Sequence, residues 1–168
     1  MNTAPIFLCG FMGCGKSTVG KVLSKKLGTS CIDLDAYIEQ TEGMIIPEIF
    51  EKKGEPYFRE TETKSLGALA NEGKVIATGG GALLSDKNGK LAKSAGLVVF
   101  IDTDFDTCYS RIKDDPHRPI AFNSTREELL ERYEYRKPLY KANSNCIVSG
   151  SLSPVEIADE IVRIYKAR

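Results

Sequence analysis

The 168 residues balance 23 Lys and Arg against 23 Asp and Glu and are 42% apolar, enough for one sizeable core and without a net field to draw nucleic acid or an anionic membrane. No run approaches the roughly eighteen apolar residues of a membrane span, and residues 1–5 lead into a strand without a basic segment or long apolar region, so a cytoplasmic chain is expected. The five cysteines, at 9, 14, 31, 108 and 146, are widely spaced, mostly lie in apolar runs and form no CxxC pair; with His117 the only histidine, they read as reduced small hydrophobes rather than a disulfide framework or zinc site.

The chain opens on a strand, Ile6–Cys9, followed at once by GFMGCGKST, residues 10–18. Gly10-x-x-x-x-Gly15-Lys16-Ser17 meets each defined position of a phosphate-binding loop, between the strand and the helical pattern of Lys16–Leu27 that such a loop requires. There the glycines let backbone N–H groups converge on phosphate oxygens at a helix N-terminus, Lys16 reaches the β- and γ-phosphates, and Ser17 can ligate Mg²⁺. A glycine-rich turn with a merely solvated lysine is the bland alternative, and both pattern and context speak against it. A short strand at 31–32 leads into Asp33-Leu34-Asp35, in the crevice where parallel sheets bind ligands. Strand alternation would put both carboxylates on one side, one near Mg²⁺ and one near an acceptor hydroxyl; the acids could equally cap a helix starting near Ala36.

Helices follow at Ile46–Lys53 and 57–71, the second carrying Phe58-Arg59-Glu60-Thr61-Glu62 in its first turns. Arg59 and Glu62, three apart, share a face, and a surface ion pair would account for them. Val75–Ala77 is a strand ending in Thr78-Gly79-Gly80-Gly81, either a close approach of backbone to a ligand or a flexible turn. A strand at 97–101 and a helix at 103–112 come next. Residues 113–123 hold two Asp, two Pro, His117 and Arg118, are too polar for a strand, and make the best loop or lid candidate. Ser124-Thr125-Arg126-Glu127 reads as a capping box opening a helix at 125–133. A strand at 146–148 and a helix at 154–167 close the chain, the helix headed by the capping box Ser153-Pro154-Val155-Glu156 with proline at its first position. Strands alternating with helices imply a parallel sheet covered on both faces. No repeat, low-complexity tract or linker divides residues 1–168, so a single domain is expected; no spare apolar helix face stands out, which favours a monomer.

In order and spacing, Gly10 to Ser17, Asp33-x-Asp35, Phe58-Arg59-x-x-Glu62, Gly79-Gly80-Gly81, Arg118-Pro119 and Arg136 within Tyr135-Arg136-Lys137-Pro138-Leu139-Tyr140 resemble shikimate kinase over nearly the whole chain. Many NTPases share the phosphate loop; the combination is specific. The resemblance implies an α/β fold of P-loop NTPase, nucleoside-monophosphate-kinase-like type: three α/β/α layers, a five-stranded parallel sheet, a mobile lid about 113–123 and a shikimate-binding helical region about 34–62. It implies transfer of the γ-phosphoryl of ATP to the 3-hydroxyl of shikimate, giving shikimate 3-phosphate and ADP in chorismate and aromatic amino acid biosynthesis, with Mg²⁺ as cofactor. By the same resemblance Gly13, Cys14, Gly15, Lys16, Ser17 and Thr18 hold the phosphates, and Ser17 and, through water, Asp33 hold Mg²⁺. Asp35 binds the acceptor hydroxyl and is the candidate base. Arg59 and Arg136 clamp the shikimate carboxylate, Glu62 orients Arg59, and Gly79, Gly80 and Gly81 line the shikimate side. Arg118 closes over the phosphates, while Arg111 and the region around Pro154 flank adenine. The lid departs from the family pattern: Ile120-Ala121-Phe122 stand where leucines are usual, and Asp114, Asp115 and His117 where Gly, Asn or Thr is expected. A kinase for another polyol acid, such as gluconate, would share Lys16 and Ser17 but not FRxxE, the glycine run and Arg136; a GTPase switch would need an Asn-Lys-x-Asp motif, which is missing here.

Overall fold

Five parallel strands stand in the order β2-β3-β1-β4-β5 in the computed structural model, which describes residues 3–116 and 118–168. The central strand β1 (Ile6–Cys9) pairs with β3 (Val75–Ala77) on one side and β4 (Leu97–Asp102) on the other, so that Phe7 stands level with Ile76 and Val98. β2 (Cys31–Asp33) lies outside β3, and β5 (Cys146–Ser149) outside β4. Every residue of β1 and β3 is buried, as is β4 up to Ile101, whereas the edge strands are half open. Unbroken apolar runs in the middle of the sheet are what helices on both faces demand.

The helices are α1 (Lys16–Leu27), α2 (Leu34–Glu42), α3 (Ile46–Lys53), α4 (Glu55–Leu69), α5 (Asp86–Ala95), α6 (Phe105–Ile112), α7 (Pro119–Phe122), α8 (Arg126–Ala142) and α9 (Pro154–Lys166). From β1 the chain crosses outward to β2, then runs the other way through β3, β4 and β5; right-handed crossovers therefore place α1 on one face and α4, α5 and α8 on the other. α9 returns to pack on α1. Because connections leave the central strands in opposite directions, a crevice opens at their carboxyl ends. The phosphate-loop motif after β1, the acids at the end of β2 and the glycine run after β3 all arrive there.

All five expected strands form, and four departures from the sequence reading have physical causes. The polar segment 86–95 folds as α5 because Ser85 caps it, accepting from the Asn88 N–H at 3.4 Å, and its Asn88, Gly89 and Ala92 face the interior. The helix expected at 125–133 runs to Ala142 through Pro138; the proline removes one donor, but Tyr140 in the next turn is buried and anchored. Its cap is Thr125 with Glu128, one residue later than expected, while Ser124 instead donates to the Ile120 carbonyl at 2.5 Å. Four residues of the expected lid loop make α7, and His117 lies outside the described residues. All five cysteines are free; burial pushes the Cys108 thiol up to about 12 and raises Cys9 further still, as suits packed hydrophobes. No helix among the described residues is long and apolar enough to cross a membrane.

The α1–α9 layer covers the face of the sheet opposite α4, α5 and α8. Ile161→Ala, at a fully buried position of α9, is expected to lower stability by about 2–5 kcal/mol in urea titrations while leaving turnover per folded molecule near wild type.

Candidate active site

The phosphate loop begins where β1 runs out. Gly13 (φ +80°) and Gly15 (φ +106°) hold left-handed backbone that a side chain would strain, and a Cβ on Gly13 would also lie 2.8 Å from Ile112 and 2.9 Å from the Cys108 carbonyl. The loop is pinned from inside: the buried Thr103 at the end of β4 donates to the Cys14 carbonyl at 3.0 Å, and its own carbonyl accepts from the Tyr133 hydroxyl of α8 at 2.8 Å. α1 starts at Lys16 with no acid in its first turn, so the positive end of the helix is left for an anion. Half-buried Lys16 folds over the loop, donating to the carbonyls of Gly10 at 2.6 Å and Phe11 at 3.1 Å. Gly13, Gly15, Lys16, Ser17 and Thr18 line a cavity that Asp33 and Asp35 close from the far side; Cys14 is buried beneath it. Arg111 braces the loop, donating to the Gly13 carbonyl at 2.9 Å. Pro154 stands exposed as the first residue of α9 and does not line this cavity.

Asp33 and Asp35 reach the cavity by a route other than strand alternation. β2 ends at Asp33, which caps α2 by accepting from the Ala36 N–H at 3.0 Å, so Leu34 and Asp35 already follow helical spacing. Leu34 enters the core and Asp35 turns half-buried into the cavity; capping and site lining are both true of Asp33. Burial, then the neighbouring Asp33 and Glu62 charges, push the Asp35 carboxyl up to about 6, with Lys16 opposing and Glu39 adding a smaller push.

On the other side, α4 presents Arg59 and Glu62 with Nη1 and Oε1 3.0 Å apart. This is no surface pair: Glu62 is 2% exposed, while the Arg59 side chain keeps 41% of its surface and has Glu55 as a second, looser partner at 3.5 Å. A buried carboxylate holds a guanidinium that stays partly exposed at the edge of a cavity. Burial raises the Glu62 carboxyl, and the Arg59 charge and hydrogen bond offset only part of that rise.

The glycine run between them is not a flexible turn. None of Gly79, Gly80 and Gly81 has a positive φ, so the requirement for glycine is steric. A Cβ on Gly79 would sit 2.6 Å from an Asp35 carboxylate oxygen, one on Gly80 3.2 Å from Arg136 Nη1, and one on Gly81 2.7 Å from Arg59 Nη1. Three consecutive peptides thus each make room for a different site residue. Arg59, Glu62, Arg136 and the three glycines line a second cavity, walled by Ile46, Phe50 and Phe58 and roofed by Pro119, Ile120 and Ala121. Arg118, exposed at the head of α7 with Nε 3.3 Å from Asp115, borders both cavities, as do Met12, Asp35, Gly79 and Gly80. The sequence reading passed over Thr103, Tyr133 and Tyr140; Tyr140 closes the run that contains Arg136, but a buried hydroxyl's partner has no linear signature.

Among the described residues no cluster of three or more His, Cys, Asp and Glu could hold a metal by itself. The Ser17 hydroxyl and Asp33 carboxylate, both bordering the phosphate cavity, fit a Mg²⁺ that takes most of its oxygens from nucleotide and water.

The profile of the family described as shikimate kinase matches residues 12–166. A shikimate kinase of Sulfurihydrogenibium sp. is 43% identical over 164 residues, 97% of this chain and 98% of that one. The shikimate kinase structure from Aquifex aeolicus matches with TM-score 0.83 at 39% identity, over 95% of this chain and 94% of that one. The Acinetobacter baumannii shikimate kinase, solved in complex with shikimate, matches with TM-score 0.89 at 34% identity, over 98% of this chain and 93% of that one. With the phosphate loop, paired acids, arginine pair and glycine run standing around one crevice and these relatives matching nearly end to end, the chain belongs to the shikimate kinase family.

Proposed function

We propose that ATP binds on the Lys16 side of the crevice, shikimate on the Arg59 and Arg136 side, and that Asp35 works where the two meet. The protein is an ATP-dependent kinase that phosphorylates shikimate in aromatic amino acid biosynthesis. The observation that carries the division of labour is that Asp35, Gly79, Gly80 and Arg118 border both cavities, so a hydroxyl held on one side faces a phosphate held on the other.

Two arginines suit a single carboxylate, since each guanidinium can offer a paired donor edge, and Glu62 holds Arg59 so that little freedom is lost on binding. The glycine peptides and Asp35 supply partners for ring hydroxyls, and the apolar wall of Ile46, Phe50 and Phe58 covers ring carbons. Asp35 accepts the proton of the 3-hydroxyl as that oxygen attacks phosphorus; Lys16, the loop amides and Arg118 meet the charge on the transferring group and on ADP. Mg²⁺, held by Ser17 and through water by Asp33, would neutralise phosphate charge. Arg111 and the start of α9 near Pro154 take the adenine side. Residues 1–168 act as one kinase domain, a cytoplasmic monomer, with 34–62 gripping shikimate and 113–123 closing as the lid. The reading is tested by ADP release from MgATP on adding shikimate or gluconate: stimulation by shikimate alone is expected, and stimulation by gluconate alone would sink it.

Asp35 must be ionised to accept a proton, so kcat/KM should fall as pH drops through about 6. Stability runs the other way. Its folded-state value lies above the ordinary ~3.9, so the stability gained from the protonated form is present below that value and lost as pH rises through about 6. Asp35→Asn is therefore expected to abolish turnover even at saturating substrates yet raise Tm at neutral pH by about 2–6 °C, read by calorimetry. Arg59→Ala and Arg136→Ala should each weaken shikimate binding by roughly 2–5 kcal/mol, with the KM for ATP much less affected. Arg118→Ala should lower kcat by about 10²-fold with little change in shikimate affinity, the pattern of a contact made mainly in the transition state.

A further inference from the structure

Two buried polar side chains that take no part in the chemistry tie the glycine run to the helices on either side of it. On one side Asn88 of α5, 2% exposed, donates through Nδ2 to the Ala82 carbonyl at 2.9 Å and accepts through Oδ1 from the Thr63 hydroxyl at 2.8 Å. Thr63 lies on α4 one turn beyond Arg59, and its hydroxyl is also 3.0 Å from the Arg59 carbonyl. One amide therefore joins the carbonyl of the residue after Gly81 to the turn of α4 that bears Arg59. On the other side Tyr140, 1% exposed and one turn beyond Arg136 on α8, donates to the Gly80 carbonyl at 2.5 Å.

We propose that Asn88 with Thr63, and Tyr140, are positioning residues that set the spacing of the two arginines by referring one to the Ala82 carbonyl just after the glycine run and the other to the Gly80 carbonyl within it; this rests on the reading of Arg59 and Arg136 as the carboxylate clamp. The chemistry of the brace is specific. An amide can give a proton to Ala82 and take one from Thr63; a carboxylate would face the Ala82 carbonyl without a proton, and an apolar side chain would leave that carbonyl without its donor and the Thr63 hydroxyl with the Arg59 carbonyl alone. The tolerances are narrow because the guanidinium of Arg59 already lies against the bare Cα of Gly81, and that of Arg136 against Gly80, so a small shift of the run changes where both donor edges point.

Thr63→Val removes the hydroxyl and keeps the shape, Thr63→Ser keeps the hydroxyl, and Tyr140→Phe removes the other brace. Shikimate affinity is measured by calorimetry without nucleotide, alongside the KM of both substrates and Tm. Thr63→Val and Tyr140→Phe are each expected to weaken shikimate binding about fivefold, the effect of one lost hydrogen bond, with the KM for ATP within about twofold and Thr63→Ser close to wild type. Asn88→Asp, which keeps the Thr63 bond and loses the Ala82 bond, should give the same selective loss. Unchanged shikimate affinity in either Thr63→Val or Tyr140→Phe overturns the proposal, as does a parallel rise of both KM values with a fallen Tm, the mark of a purely structural role. Failure of the wild-type protein to bind shikimate is a separate result that overturns the clamp itself.

Discussion

Three successive peptides without side chains, Gly79 to Gly81, are the constraint around which the site is built. They follow β3 into the crevice, and Asp35, Arg136 and Arg59 close on them from three helices so tightly that a Cβ at Gly79 or Gly81 would displace the charged group beside it and one at Gly80 would crowd Arg136. Close packing here serves electrostatics: charged groups of opposite sign are held a few ångströms apart in a partly buried place where each is worth more than in water. The run has a firm start, since Thr78 at its head bonds the Leu8 carbonyl of β1 through both its N–H and its hydroxyl. The sheet thereby fixes the run, and the run fixes the spacing of the charges.

Two carboxylates in this site, Glu62 buried and Asp35 half-buried, are treated differently, and the difference matches their proposed tasks. Glu62 is almost wholly enclosed but shares a 3.0 Å contact with Arg59, so its charge is matched and it acts as a fixed anchor. Asp35 makes no such pair among the described residues; its burial, and then the charges of Asp33 and Glu62, outweigh the pull of Lys16 and leave its carboxyl near 6. A base wants a proton affinity near the working pH, and the fold obtains one by taking the carboxyl out of water and setting other acids beside it, at a cost in stability.

α8 is the element that joins the halves. Thr125 caps it directly after the segment that carries Arg118; Tyr133 bonds the carbonyl of Thr103, which holds the phosphate loop; Arg136 and Tyr140 meet the glycine run. Phe11 and Phe105 pack edge-on against the Tyr133 ring, and Lys137 pairs with Asp102 at 3.2 Å. One helix thus follows the segment of Arg118 and reaches both the loop after β1 and the glycine run, and these contacts on either side of Pro138 offset the donor that the proline removes.

Much of this was legible in the linear order of residues because the features concerned are local. A phosphate loop is a strand, a glycine pattern and a helix start in immediate succession, and the apolar runs of β1, β3 and β4 are continuous because both faces of an inner parallel strand are covered. Arg59, Glu62 and Arg136 could be named through their neighbours in the chain. Tertiary structure decided what depends on residues far apart: that Glu62 is buried with its partner rather than paired at the surface, that Asp33 both caps α2 and lines the cavity, and that α5, a polar segment whose one large apolar residue is Leu91, folds to deliver Asn88. Only the fold could disclose why three glycines stand together, because the atoms that exclude a side chain at each belong to residues 22 to 56 positions away, and no local propensity carries that distance.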